Sequence, residues 1–393
     1  MSTSQTRTAI VVGAGIVGLA MARALAEAGY KVTVFERHER ATGASVRNFG
    51  TVWPIGVPNG QLYARALRSR EVWREFCDAT GTWCDPSGSL IAAWHEDEWS
   101  AMNEYAALND GIRPCRMLDA QETLRHAPGV VAQGLRGALL SQDEMVIDPR
   151  EAVRALPAWL SERYGVEFRW RHAVTRIEHP YVWSGRRRFA ADVIYVASGS
   201  DFETLYPELF ESQQITKCKL QMLRLESQPA HFKLGPVICS GLSMAHYSGF
   251  HAAPSIERLR QRLATEHGDL LALGIHVMAA QNGLGEITLG DSHEYGHTHD
   301  PFDESSINRK IIDYLRGVID VPRWDIKQSW HGIYAKLTDG VRSELVLEAE
   351  PGVTIVNGVG GGGLGMTLSF GMAEEIVAGQ LRAEHAHAAS VAA

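Results

Sequence analysis

The residues best able to do chemistry stand near the start of the chain. Gly13-Ala14-Gly15-Ile16-Val17-Gly18 has the spacing of a dinucleotide fingerprint. Gly13 permits a tight turn, Gly15 lets the backbone approach a pyrophosphate and Gly18 lets a helix pack closely on its strand, while the helix N-terminus offers N–H donors to phosphate oxygens. Glu36 follows at the end of the next apolar run, placed to accept from ribose hydroxyls, and its charge disfavours the 2′-phosphate of NADP. The small-residue loop Gly43 to Gly50, the run Ala191 to Gly199 and the glycine cluster Val359 to Thr367 are three separated elements of a cofactor-holding kind, and together they imply an extended, deeply buried dinucleotide. Other chemistries are poorly served. His293-Glu294-Tyr295-Gly296-His297 spells HExxH, but that zinc pattern needs a helix to bring both histidines to one face. Here it follows a strand-like run, contains Gly296 and leads into Asp300-Pro301, which describes an acidic, His-rich loop, and no metal is expected. No G-x-S-x-G elbow or Ser/His/Asp order stands out. The five cysteines are odd in number, scattered and without C-x-x-C, as reduced thiols would be.

The elements that must position these residues are legible around them. Thr8 to Val12 is β-branched and apolar, Ile16 to Ala28 is a small-residue helix stopped by Gly29, and Lys31 to Glu36 alternates as a strand, which completes a βαβ unit and predicts a doubly wound α/β class. Helical patterns recur at Gln61 to Cys77, Glu96 to Asn109 and Pro149 to Arg163, the last opened by Asp148 and a first-turn proline. Short strands fill Val166 to Ala197. Ser243 to Phe250 and Leu271 to Gly290 are predicted as strands of a second sheet, with helices at Ile256 to Glu266 and Ser305 to Val318. A small-residue helix is expected to reach about Arg382, followed by a frayed tail from Ala383.

Length and charge bound the rest. At 393 residues the chain has room for about two domains. A net charge of −8 argues against nucleic acid as a partner, and the basic run Arg186 to Arg188 sits at a Ser-Gly turn where water solvates it. No apolar run reaches the roughly 18 to 20 residues of a membrane span. Ala9 to Ala24 is interrupted by three glycines and lacks a basic flank and a cleavage site, so a cytoplasmic location is expected.

The order of these motifs carries a resemblance. The fingerprint with Glu36, the Gly43-Ala44-Ser45-x-Arg47-Asn48 loop, the Ala191 to Gly199 strand, Trp330-x-Gly332 with Thr338-Asp339-Gly340, and the closing glycine loop resemble the D-amino acid oxidase, glycine oxidase and sarcosine oxidase superfamily of flavoproteins. The run Arg47-Asn48-Phe49-Gly50-x-Val52-Trp53-Pro54 is similar to a branch associated with bacterial phosphonate catabolism. The resemblance implies a Rossmann-like FAD-binding domain of the D-amino acid oxidase kind, from residues 1–85, 145–220 and 330–393, and a discontinuous α+β substrate domain on a mixed or antiparallel sheet, from 86–144 and 221–329. It implies that FAD is held by Gly13, Gly15, Ile16, Val17, Gly18, Glu36, Arg37, Ser45, Arg47, Asn48, Ser198, Gly199 and Gly332, and by Gly361, Gly362, Gly363, Leu364, Gly365, Met366 and Thr367 of the closing loop, with the Val174 backbone at the adenine. That loop lacks the cysteine to which sarcosine oxidases attach flavin, so non-covalent FAD is expected.

Two departures bear on the substrate. Amino acid oxidases of this superfamily usually carry a Gly-Leu-Arg-Pro run after the Trp-x motif, whose arginine grips the substrate carboxylate as a planar fork; Tyr334 takes that arginine's place here, and His276 replaces a tyrosine that lines the substrate in glycine oxidases. Loss of the fork suits a substrate with a tetrahedral dianion in place of an α-carboxylate, held by point-like donors. The resemblance therefore implies oxidation of a C–N bond in a small amine, an aminophosphonate such as 2-aminoethylphosphonate or its N-methyl derivative, with a glycine- or sarcosine-type amino acid as the alternative. His276, His331 and Tyr334 are the candidates at the reacting substrate, and Arg224, Tyr247, Lys336 and Arg47 for its anion. Dioxygen or another acceptor would take the electrons.

Overall fold

The computed structural model describes the backbone of residues 6–392 and the side chains of residues 6–383. Strand β1 (Thr8–Val12) leads through the glycine turn into helix α1 (Ile16–Glu27) and back through β2 (Lys31–Glu36), which pairs in parallel with β1. Helix α2 (Gln61–Thr80), the long strands β3 (Ile215–Leu225) and β4 (Ile326–Leu337), and the C-terminal helix α3 (Gly365–Ala392) complete the frame of the site.

The βαβ unit is the heart of a six-stranded sheet ordered Leu345–Glu350, Val353–Asn357, Val193–Val196, β1, β2, Glu167–Trp170, parallel except for the Leu345–Glu350 edge. Side chains alternate across a strand, and β1 shows what each face meets: Ala9 and Val11 join the core beneath α1, α2 and α3, while Ile10 and Val12 join Val182, Phe202 and Phe210. The second face is covered by a three-stranded antiparallel sheet (Arg176–Glu178, Tyr181–Ser184, Arg187–Ala190) and a short helix, Pro207–Glu211. A doubly wound fold would place long helices there, so the covering of that face departs from the expectation. The short strands of 176–190 supply its apolar contacts, Ile177 and Val182 among them.

The second sheet has nine strands, antiparallel throughout except where Val237–Cys239 lies parallel to Ser89–Ala93. It makes a mixed α/β molecule of the predicted class. β3 and β4 pair along their whole length within it, from Ile215 opposite Leu337 to Leu225 opposite Ile326, and so straddle the expected divisions at 220 and 330.

Helices at Pro149–Tyr164, with Asp148 accepting from the Arg150 N–H at 2.9 Å, and at Ile256–Glu266 follow the sequence reading. Ser243 to Phe250 does not: it folds as the helix Gly241–His246 and a 3-10 turn, Ser248–Phe250. So short a run cannot separate the two periods, and the Ser243 hydroxyl, donating to the Val277 carbonyl at 2.6 Å, ties the helix to the start of the Met278–Gln281 strand. Within Leu271 to Gly290 only Met278–Gln281 and Ile287–Gly290 are strands, after a helix Gly268–Ala272. α3 continues through Ala392 and does not end near Arg382; the side chains expected to fray lie largely outside the described residues.

α2 and α3 fix the closing loop. The Trp73 indole donates to the Met366 carbonyl at 2.8 Å, Gly371 N donates to Ser69 Oγ at 3.0 Å, and a Cβ on Gly371 would lie 2.6 Å from the Arg65 carbonyl. Buried Arg23 of α1 reaches Glu374 at 2.6 Å and Glu27 at 2.8 Å, and Arg65 reaches Glu344 at 2.8 Å and Glu375 at 2.9 Å, so both helices are tied to α3 by ion pairs as well as by packing. Among the described residues no helix is long and apolar enough to cross a membrane, and all five cysteines are free.

Candidate active site

A cavity of about 550 Å³ runs between the two sheets. One part of its wall is backbone. Gly13 adopts φ +103, and a Cβ there would lie 2.4 Å from the Ala197 carbonyl; Gly18, just beneath, would place a Cβ 1.9 Å from the Gly13 carbonyl, so it supports the turn without facing the cavity. The Ile16 N–H, first of α1, is held by Ser45 Oγ at 2.9 Å. Glu36 accepts from the Ala14 N–H through one oxygen and from the His38 N–H through the other, each at 3.0 Å, which aims its carboxylate along the cavity wall with lone pairs to spare. Val174, Ser198 and Gly199 line the same stretch, and Arg37 there pairs with Asp201.

The closing loop supplies the facing wall. Gly362 has φ +116 and a Cβ there would meet the Ala335 carbonyl at 2.7 Å. Asn48 contributes as a clamp: its Nδ2 donates to the carbonyls of Ala44 and Ser45 at 2.9 and 3.0 Å and its Oδ1 accepts from Gly50 N at 2.7 Å. Thr367 is buried and accepts from Trp53 N at 3.0 Å, and Gly361 donates to Ser343 outside the cavity wall. Asn357, which the sequence reading passed over, donates to the Gly199 carbonyl at 2.8 Å and so joins two of the three loops. The donor set fits FAD. Bare glycine backbone at Gly13 and Gly362, a helix N-terminus, an acid at the strand end and the buried Ser198 hydroxyl, which has no partner of its own, form one continuous cradle.

The rest of the wall is built from titratable side chains. On β4, Gly332, Tyr334 and Lys336 face the cavity, while His331 lies on the other face and pairs with Asp303 at 2.8 Å. The odd separation of His331 and Tyr334 makes this unavoidable in a strand, so His331 is removed from the substrate group. Arg224 is removed as well. It lies two residues beyond Met222, past the cavity wall, buried against Glu286 at 3.1 Å and Asp148 at 3.6 Å. His276, Tyr247, Lys336 and Arg47 do line the cavity; Arg47 donates to the His331 carbonyl at 3.2 Å.

Two histidines and an aspartate join them that sequence reasoning had not placed there. His246 ends the helix Gly241–His246, His293 begins the former HExxH run, and their rings stack about His276, with centroids 3.9 Å apart for His246–His276 and 5.0 Å for His276–His293. Glu294–Gly296 is a short strand paired with β3, which leaves His297 outside the cavity wall. No spacing signature could reveal three residues from three separate segments; the only sequence signal was the abundance of histidine, 16 in all. Burial dominates their protonation. It pushes His246 down to about 3 and His293 to about 4, and His276, crowded also by the other two rings, falls well below the histidine range. His246 is exposed and lines the cavity, while His276 and His293 are buried. Burial raises Asp291 to about 8; its Oδ1 lies 3.3 Å from His276 Nε2 but without hydrogen-bond alignment. Burial likewise holds the phenols of Tyr334 and Tyr247 well above, and Lys336 below, their ordinary ranges.

The family described as DAO, FAD dependent oxidoreductase, matches residues 8–378. A polypeptide of the opine oxidase of Agrobacterium tumefaciens strain Ach5 is 24% identical over 394 residues, 95% of this chain and 94% of that protein. Glycine oxidase of Pseudomonas aeruginosa strain PAO1 is 31% identical over 165 residues, 40% of this chain and 44% of its own length. The crystal structure of glycine oxidase from Geobacillus kaustophilus superposes with a TM-score of 0.72 at 18% identity, covering 95% of this chain and 94% of that one, a likeness of fold.

Proposed function

Because the chain belongs to the DAO family of FAD-dependent oxidoreductases and is a flavoenzyme of the amine-oxidising kind, we propose that it oxidises the C–N bond of a small aminophosphonate, 2-aminoethylphosphonate or its N-methyl derivative. FAD, held by the glycine cradle, would supply the oxidising power as a hydride acceptor, and water would hydrolyse the imine left on the substrate to an aldehyde with ammonia or, from the N-methyl derivative, an aldehyde with an amine. Dioxygen or another acceptor then takes the electrons.

The observation that carries the substrate reading is the composition of the wall opposite the glycine cradle. Tyr334 and Lys336 project from β4 into the cavity beside three imidazoles and Tyr247. A tetrahedral dianion accepts from several directions at once, and these are separate donors spread over β4 and the segments that face it. A carboxylate is matched best by a planar fork. Burial at this end also favours an uncharged amine, whose lone pair must be free as the C–H bond breaks. Lys336 and Tyr334 orient the anion, and with it the C–H to be cleaved, and the enclosed wall keeps bulk water from the reacting carbon.

A glycine- or sarcosine-type amino acid is the second reading, favoured by Arg47, a cation that lines the same cavity and donates to the His331 carbonyl. Anaerobic bleaching of the purified yellow enzyme by 2-aminoethylphosphonate, its N-methyl derivative, glycine and sarcosine decides between them. Bleaching by the aminophosphonates alone is expected; bleaching by the amino acids alone assigns the anion to Arg47 and overturns the proposal.

A further inference from the structure

The geometry points to a divalent transition-metal site, of the zinc class, formed by His246, His276 and His293 in the wall of the cavity. One ring nitrogen from each lies within 4.8 Å of the other two. Three imidazoles bound to one ion at ~2.0–2.1 Å place their ring centroids roughly 4.5 Å apart at right angles and about 5.2 Å apart in a tetrahedron. The observed separations are 3.9, 5.0 and 5.4 Å. The closest pair falls short of that range and the widest slightly exceeds it, and the rings lie at 25–31° to one another. Binding therefore turns them about their Cβ–Cγ bonds to aim one nitrogen each at the ion, His246 most of all because it is the exposed member.

The segments that carry the three rings are fixed to one another by backbone. His293 N donates to the Leu273 carbonyl and Asp291 N to the His276 carbonyl, both at 2.9 Å, and the Ser243 hydroxyl ties the His246 helix to the Val277 carbonyl at 2.6 Å. His293 Nδ1 lies 2.8 Å from the Gly274 carbonyl. That contact sets Nδ1 as the donor and leaves Nε2 as the ligand, the way metal-bound histidines are oriented by a second partner. Gly274 itself has φ +60, and a Cβ there would sit 2.7 Å from His293 Cβ, so the carbonyl and the ring are built around each other. Two buried polar atoms of the cluster, His276 Nδ1 and Asp291 Oδ1, have no hydrogen-bond partner. Buried polar atoms in that condition point to an ion or water as the missing partner, and a carboxylate next to a histidine ligand is a common companion of zinc.

Three neutral protein ligands are the number found in zinc sites that keep a position open. The open position here faces the cavity, where the metal would take an anionic oxygen of the substrate. That last step rests on the aminophosphonate reading above; the binding of metal does not. The site also differs from the HExxH spelling in the sequence, since it uses His293 of that run and not His297.

The test uses the full-length, FAD-loaded enzyme, stripped with a chelator and titrated separately with Zn²⁺ and Co²⁺. We expect one bound equivalent by elemental analysis, and with Co²⁺ ligand-field bands to the red of the flavin absorption. His246→Ala and His293→Ala are each expected to weaken binding by at least about a hundredfold, the upper end of what a lost second-shell partner costs, while the double variant His297→Ala/His299→Ala leaves it unchanged. Retained flavin colour reports a folded variant. If His293→Ala loses flavin, His246→Ala decides, because its ring faces open cavity. Absence of a stoichiometric metal overturns the inference, as does metal that persists in the cluster variants and leaves with His297 and His299, an adventitious loop site. Bleaching by aminophosphonates without metal binding sinks this inference alone; metal binding without such bleaching sinks the substrate reading alone.

Discussion

The two halves of the cavity wall are made differently. The cofactor half is mostly backbone: glycines that leave room, the start of α1, and side chains such as Asn48 and Ser45 spent on holding loops in place. The other half is side chain, with His246, His276, His293, Tyr334 and Lys336 brought together by the second sheet and its flanking helix. A backbone cradle needs residues in fixed local order, because each glycine acts on its immediate neighbours. A side-chain cluster needs only that distant segments converge, so its members can change one at a time. Substrate preference can therefore shift on this fold while the cofactor stays.

The sharpest way to test that division is to add a side chain to the cradle. Gly13→Val combines a left-handed φ with a collision against the Ala197 carbonyl; strain and overpacking together cost on the order of 4 kcal/mol, so FAD affinity is expected to fall about a thousandfold, read as flavin absorbance per protein after gel filtration. Next in size is Arg224→Met. Arg224 belongs to neither half of the wall, and removing it leaves Asp148 and Glu286 buried, with Lys327 still at 2.5 Å from Glu286. A loss of about 3 kcal/mol in denaturant unfolding is expected, with KM unchanged. A raised KM at unchanged stability would return Arg224 to the substrate.

These residues also show what a sequence can and cannot convey. The βαβ unit, Glu36 and the closing glycine loop were legible because their physics is local: a tight turn, a close packing and a helix start follow from neighbours in the chain. His276 and Tyr334 could be singled out only as departures from a familial pattern. His246 and His293 could not be found at all, since the helix that carries the first was too short to show its period and the second lay inside a motif whose chemistry belongs to a helix. Arg224 misled for another reason. A buried arginine looks alike in sequence whether it serves a ligand or a pair of structural carboxylates.

Lys336 sharpens the comparison from the substrate side. Lys336→Met removes a charged donor from the cavity, worth about 2 kcal/mol, and is expected to raise KM for the aminophosphonate roughly thirtyfold while flavin content stays constant. Its pH dependence has a definite sign. Burial lowers the Lys336 ammonium below the ordinary lysine range. The charge that holds the anion is present at low pH and is lost as pH rises through that depressed value, so KM should climb at a lower pH than for an exposed lysine. Tyr334, Cys218, Asp291 and the three imidazoles lie around the same space; the first two are raised and the histidines stay neutral throughout that alkaline range, while Asp291, which burial raises to about 8, titrates in both enzymes. The ratio of KM in Lys336→Met to KM in the parent enzyme cancels Asp291 and the substrate itself, and it should fall with rising pH as the Lys336 charge is lost. A ratio that stays flat with pH would separate Lys336 from the anion.

The smallest effect is the most specific. His331 is three residues from Tyr334 on the same strand, and a strand turns successive side chains to opposite faces. Its ring meets Asp303 and not the cavity. That pair is partly open to water, where an ion pair contributes ~0–1 kcal/mol. His331→Ala is thus expected to leave kcat, KM and flavin content unchanged and to cost no more than about 1 kcal/mol of stability, whereas Tyr334→Phe, which removes one hydroxyl from the cavity wall, should raise KM about tenfold. The contrast depends on register alone. If His331→Ala impaired turnover as strongly as Tyr334→Phe, the alternation of β4 would be out by one residue, and Lys336 would have to leave the cavity together with Tyr334.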